Sequence, residues 1–120
     1  MADAPFKTVA TVADTVPQDF FAKPSKLLMA VAVPVRWAVM RELAAVPSLS
    51  VIELGAKLGQ STDLVSKHLR VLRDAGALVV VAAPDGDGRK QHHAVPERFR
   101  RTDDAGRPVI DYGVCVLRFP

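Results

Sequence analysis

A chain of 120 residues, 49% apolar and 24% charged, is long enough for one domain with a modest core and too apolar to be a disordered tail. Its net charge of +3 and isoelectric point of about 9.4 suit a nucleic-acid partner without requiring one. The single cysteine, Cys115, excludes an internal disulfide and a cysteine-built metal site, and the most apolar run, residues 27–35, is far short of the roughly 20 residues of a membrane span.

Asp3 lies near the start, and charges and prolines interrupt the apolar residues after it. No secretory signal is therefore expected, and the chain reads as cytoplasmic. Residues 1–17 carry neither a helical nor a strand period and are expected to form a flexible N-terminal arm. Residues 19–33 have helical spacing, with Phe20, Leu27, Leu28 and Val31 on one face. Pro24 fits the first turn, and Pro34 ends or kinks the helix by pushing Val33 out of the α region. Pro34 then opens a second helix, in which Trp37, Met40, Leu43 and Ala44 face the core while Arg36, Arg41 and Glu42 stay solvated. Pro47 closes it, and Trp37 reads as a core anchor.

Ser50-Val51-Ile52-Glu53 is a capping box, which starts a short helix through Leu58 with Ile52, Leu54 and Leu58 as its apolar contacts. Gly59 follows, the residue a left-handed helix end calls for. Ser61 is placed to cap the next helix. There Val65, Leu69 and Leu72 recur at steps of four and three as a buried stripe, flanked by Leu64 and Val71. Thr62, Asp63, Ser66, Lys67, Arg70 and Arg73 lie off the stripe, and Gly76 ends the helix. Two short helices about a Gly-Gln-Ser turn, the second polar and basic on one face, form a helix-turn-helix pattern and point to DNA.

Residues 78–83 form a β-branched strand, 84–88 a turn rich in Asp and Gly, and 89–95 a return strand, which makes a hairpin. His92 and His93, adjacent on that strand, point to opposite faces and are poor joint metal ligands; one is expected in the core and one in solvent. Residues 97–106 are polar and basic. Residues 109–119 read as a strand that needs cover on both faces, or a partner chain, and Cys115 within it is expected to be inert. The fold class is mainly α with a small β-hairpin, a winged helix-turn-helix with an added C-terminal strand. The expected divisions are the arm, a DNA-binding domain at 18–101 and a strand extension at 102–120 suited to dimerisation.

Leu27-Leu28-Met29-Ala30-Val31-Ala32-Val33-Pro34-Val35-Arg36-Trp37 resembles the opening of ArsR-type winged-helix repressors. Val65-Ser66-Lys67-His68-Leu69-Arg70-Val71-Leu72 is similar to that family's recognition helix, and Asp74-Ala75-Gly76-Ala77-Leu78 to its entry into the wing. The likeness spans roughly residues 26–95. It implies a homodimeric repressor that reads operator DNA. Many relatives sense metals through cysteine pairs or through Asp, His and Glu sets on terminal helices. This sequence has no cysteine in the helix-turn-helix, and its end reads as a strand, so metal sensing is not implied and the dimer interface is left open.

By this resemblance, Thr62, Asp63, Ser66 and Lys67 are the candidates for base contact, Asp63 to a cytosine amino group or as a dipole-stabilising first-turn acid, and Lys67 to guanine. Ser61 and Arg70 are further DNA-binding candidates. His68 aligns with a common histidine and reads either as a phosphate contact or as a half-buried packing residue. Arg89 and Lys90 mark a wing tip, with Asp85 and Asp87 working against DNA there. No glycine loop, carboxylate cluster or activated nucleophile supports an enzyme, and no cofactor is expected. The competing reading is a winged-helix protein-interaction module that uses the C-terminal strand.

Overall fold

The computed structural model describes residues 24–120; the arm and Phe20 lie outside the described residues. Among the described residues four α-helices come first: α1 (Pro24–Val31), α2 (Pro34–Ala45), α3 (Val51–Leu58) and α4 (Thr62–Asp74). Six short strands accompany them: β1 (Leu49–Ser50), β2 (Val79–Ala82), β3 (Gln91–Ala94), β4 (Arg100–Thr102), β5 (Pro108–Asp111) and β6 (Val116–Arg118). They form two antiparallel sheets, ordered β1-β3-β2 and β4-β5-β6.

Each helix boundary has a local cause. Pro24 and Pro34 open α1 and α2, where a missing N–H costs nothing. The capping box is formed: Ser50 Oγ accepts from the Glu53 N–H at 3.1 Å, and Glu53 Oε1 accepts from the Ser50 N–H at 2.9 Å. The serine cap alone stabilises α3 by about 1 kcal/mol. Gly59 ends the helix at φ 63°, in the left-handed region, and its N–H bonds to the Gly55 carbonyl. Ser61 Oγ then accepts from the Leu64 N–H at 3.2 Å and starts α4.

Val65, Leu69 and Leu72 of α4 are fully buried with Leu54 of α3, Val39, Met40 and Leu43 of α2, and Leu27 of α1. Burying each such side chain stabilises the fold by about 1.5–3 kcal/mol, before conformational entropy is charged against it. Two residues assigned to apolar faces are instead exposed. Leu28 is 49% exposed and Ile52, at the start of α3, is 74% exposed. A helical period gives the direction of a side chain, and at these two positions no other element among the described residues covers it. Arg36, expected in solvent, is half-buried, with Nε donating to the Ala30 carbonyl across the α1–α2 bend.

The C-terminal end is not one strand over 109–119. It is two strands, β5 and β6, that turn at Gly113 and pair with β4 to make a three-stranded sheet. This sheet shares the helices' core. Phe99, Ile110, Tyr112 and Leu117 are buried within it, and Trp37 packs on Phe119 at 4.7 Å between ring centroids. Arg100 donates from Nη2 to the carbonyls of Leu43 and Val46, and so caps the C-terminal end of α2. The cover that the apolar strand needed thus comes on one face from the chain's own helices.

Candidate nucleic-acid interface

Helix α4 is held by its buried stripe, and this fixes which side it offers to solvent. Ser61, Thr62, Asp63, Ser66, Lys67 and Arg70 are all exposed. They share the face opposite Val65, Leu69 and Leu72. Asp63 lies in the first turn and Arg73 in the last, as the helix dipole favours.

His68 sits apart from that row. It is half-buried between α4 and α2, with Nδ1 3.4 Å from Arg36 Nη1. Burial first, and then the Arg36 charge, lower its pKa below the ordinary histidine value. A neutral His68 facing Arg36 ties the helix to the body of the domain.

The hairpin of β2 and β3 is the wing. Its return strand starts at Gln91, so Arg89 and Lys90 belong to the connecting turn. Both are exposed, yet both have acidic partners: Lys90 Nζ is 3.0 Å from Asp85 Oδ2, and Arg89 Nε is 3.3 Å from Asp87 Oδ1. Asp85 and Asp87 also accept backbone N–H bonds from Asp87 and Arg89, which lower their pKa values and keep them ionised. The acidic residues therefore shape the turn as well as opposing an anionic ligand. A groove of about 840 Å³ separates the wing from the start of α3 and is lined by Ile52, Glu53, Arg89 and Lys90 among others.

Both adjacent histidines are buried, which corrects the expectation that one would be solvated. They do point to opposite faces, but each meets a partner there: His93 meets Arg73 of α4, and His92 meets Ser48 and Glu53. His92 Nδ1 lies 2.9 Å from Ser48 Oγ. His93 Nε2 lies 2.7 Å from Arg73 Nη1, so Arg73 is engaged rather than free in solvent. The strand β1 that pairs with β3 has two residues and sits some forty positions earlier; no periodic signal announces it.

Among the described residues, no helix is long and apolar enough to cross a membrane, and no group of three His, Cys, Asp or Glu side chains converges as a metal site.

The model of the MarR family matches residues 34–90, from the start of α2 to the wing tip. Among solved structures, HlyU from Vibrio cholerae is similar, with 26% identity and a TM-score of 0.53 over 60% of this chain and 73% of that one. A predicted DNA-binding transcriptional regulator from E. coli shares the fold, with 23% identity and a TM-score of 0.53 over 78% of this chain and 83% of that one. No curated protein matches the sequence significantly. The family model that matches is that of MarR, and the likeness to the ArsR type rests on the sequence motifs alone. The chain carries a winged helix-turn-helix, similar over residues 34–90 to the MarR family.

Proposed function

We propose that this chain is a sequence-specific DNA-binding transcriptional regulator, acting as a homodimeric repressor in the cytoplasm. The observation that carries the reading is the exposed row formed by the Ser61 N-cap and five polar or charged residues on one face of α4, whose other face is locked in the core. B-DNA's major groove admits a helix in this attitude. Thr62, Asp63, Ser66 and Lys67, in the early turns, reach base edges; Asp63 accepts from a cytosine amino group and Lys67 donates to guanine. Ser61 and Arg70 meet phosphates, as do Arg89 and Lys90 at the wing tip. His68 serves here by holding α4 against Arg36. A twofold pair of such helices reads two half-sites a helical turn apart, which is the reason to extend the proposal to a dimer.

Binding to a labelled duplex, measured against salt concentration, tests the reading. The affinity should fall steeply with salt; Arg89→Ala should make the slope shallower by about one, and Lys67→Ala should weaken binding at its base. Absence of salt-dependent binding at low ionic strength overturns the DNA reading. Light scattering should give twice the chain mass; a monomer at micromolar concentration overturns the dimer.

A second reading, a protein-interaction module, draws on β6. Among the described residues it is an edge strand, with Val116 exposed on it and Val114 exposed beside it, and a partner could add a strand there.

A further inference from the structure

A part-buried polar bond joins the wing to the recognition helix. Arg73 stands in the last turn of α4, and His93 in the middle of β3, 2.7 Å away through Nη1 and Nε2. His93 is 1% exposed. Its partners across the sheet are apolar, Leu49 of β1 and Val80 of β2. The charged or titratable groups acting on it are Arg73 from α4 and His92 beside it on the strand. A guanidinium cannot accept a hydrogen bond. Arg73 must therefore be the donor, Nε2 the acceptor, and the ring proton sits on Nδ1, which is buried and meets no partner among the described residues. An orphaned buried donor costs about 1–3 kcal/mol. An apolar residue would avoid that cost, so the ring's contribution lies in the acceptor it offers Arg73.

We propose that Arg73 and His93 form a strut that fixes where the wing stands relative to the recognition helix, and thereby sets how many phosphates the wing tip reaches. The proposal rests on the DNA reading above and adds to it two positioning residues that touch no nucleic acid. They act through Arg89 and Lys90. The wing tip holds itself together through its own Asp–Arg and Asp–Lys pairs, so it moves as a unit when its base is released.

The test uses the full chain and a labelled mixed-sequence duplex about three helical turns long. His93→Leu removes the acceptor and leaves the Arg73 charge in place. The strut predicts that the salt slope becomes shallower by about one to two, as when wing contacts are lost. His93→Gln supplies a side-chain carbonyl for Arg73 and should restore the wild-type slope. In an Arg73→Met background, Arg89→Ala should have little further effect. A His93→Leu protein that is folded by near-ultraviolet circular dichroism and binds with an unchanged slope overturns the proposal. Full additivity of Arg73→Met with Arg89→Ala does so as well, because it would make Arg73 an independent phosphate contact. Amide hydrogen exchange gives a reading that needs no DNA. Arg73→Met should speed exchange across β2 and β3 while leaving α3 unchanged, and equal rates in both proteins would sink the strut. Wild-type protein that binds no duplex but shows this exchange pattern would fail the DNA reading and keep the strut.

Discussion

The Tyr112 hydroxyl donates to the Ala77 carbonyl at 3.0 Å, within a site where Tyr112 is fully buried. Ala77 lies between the end of α4 and the start of β2. The bond therefore ties the C-terminal sheet to the segment that links recognition helix and wing. Tyr112 also packs edge-on against Phe99, with centroids 4.9 Å apart. Burial raises the pKa of its phenol far above the ordinary tyrosine value, so it remains a donor at every working pH. Tyr112→Phe keeps the ring contact and leaves the Ala77 carbonyl unpaired. It should lower the unfolding free energy by about 1–3 kcal/mol, measured by urea denaturation at constant m-value.

A second close approach sets the helix-turn-helix itself. A Cβ built on Gly55 would lie 2.9 Å from the Gln60 carbonyl oxygen, a backbone atom of the turn into α4. Alanine in a helix interior normally gains about 1 kcal/mol over glycine. Here the turn must shift to admit it, and α4 would shift with it. Gly55→Ala should be net destabilising, by about 1–3 kcal/mol, and should weaken duplex binding beyond the effect on folding. Thermal melts beside binding curves separate the two, and a stabilised variant with unchanged binding would show that the contact is slack.

The wing's acidic residues should hold back its basic ones. Asp85→Asn with Asp87→Asn removes two negative charges and frees Lys90 and Arg89 from their partners. The double variant is expected to bind duplex DNA more tightly at low salt, because two charges that repel the phosphates are gone. Weaker binding would mean that the turn geometry, which both carboxylates hold through backbone N–H bonds, matters more than the charge.

Acid should destabilise the fold through His93. Burial first, then the charges of Arg73 and His92, push its pKa down to about 4 from 6.5. Above pH 6.5 the ring is neutral in both folded and unfolded chains and has no effect. As pH falls from about 6.5 to about 4, the unfolded chain takes up a proton that the folded chain does not. Stability is then lost at up to about 1.4 kcal/mol per pH unit. Urea midpoints measured between pH 7 and pH 4.5 should fall more in the wild type than in His93→Gln. Parallel curves would assign the acid loss to other groups.

What the sequence determined by itself is what a single turn of chain can enforce. The Ser50–Glu53 capping box, the left-handed Gly59, the Ser61 cap and the Val65-Leu69-Leu72 stripe are relations between residues three or four apart. Their geometry follows from the helix, and the exposed row from Ser61 to Arg70 follows from them. Tertiary structure decided what covers a side chain once its direction is set. Leu28 and Ile52 point away from their helices into solvent, while Arg36 and Arg73 lean on partners that spacing does not reveal, Ala30 with His68 and His93. His92 and His93 are both buried because Arg73 of α4 lies on one face of β3 and Ser48 and Glu53 on the other. The apolar end of the chain forms two strands on the helices because Arg100 reaches the last carbonyls of α2 and Tyr112 reaches Ala77. Each of these contacts spans from a few to more than fifty residues in a direction no period encodes, and it becomes fixed only when the core closes.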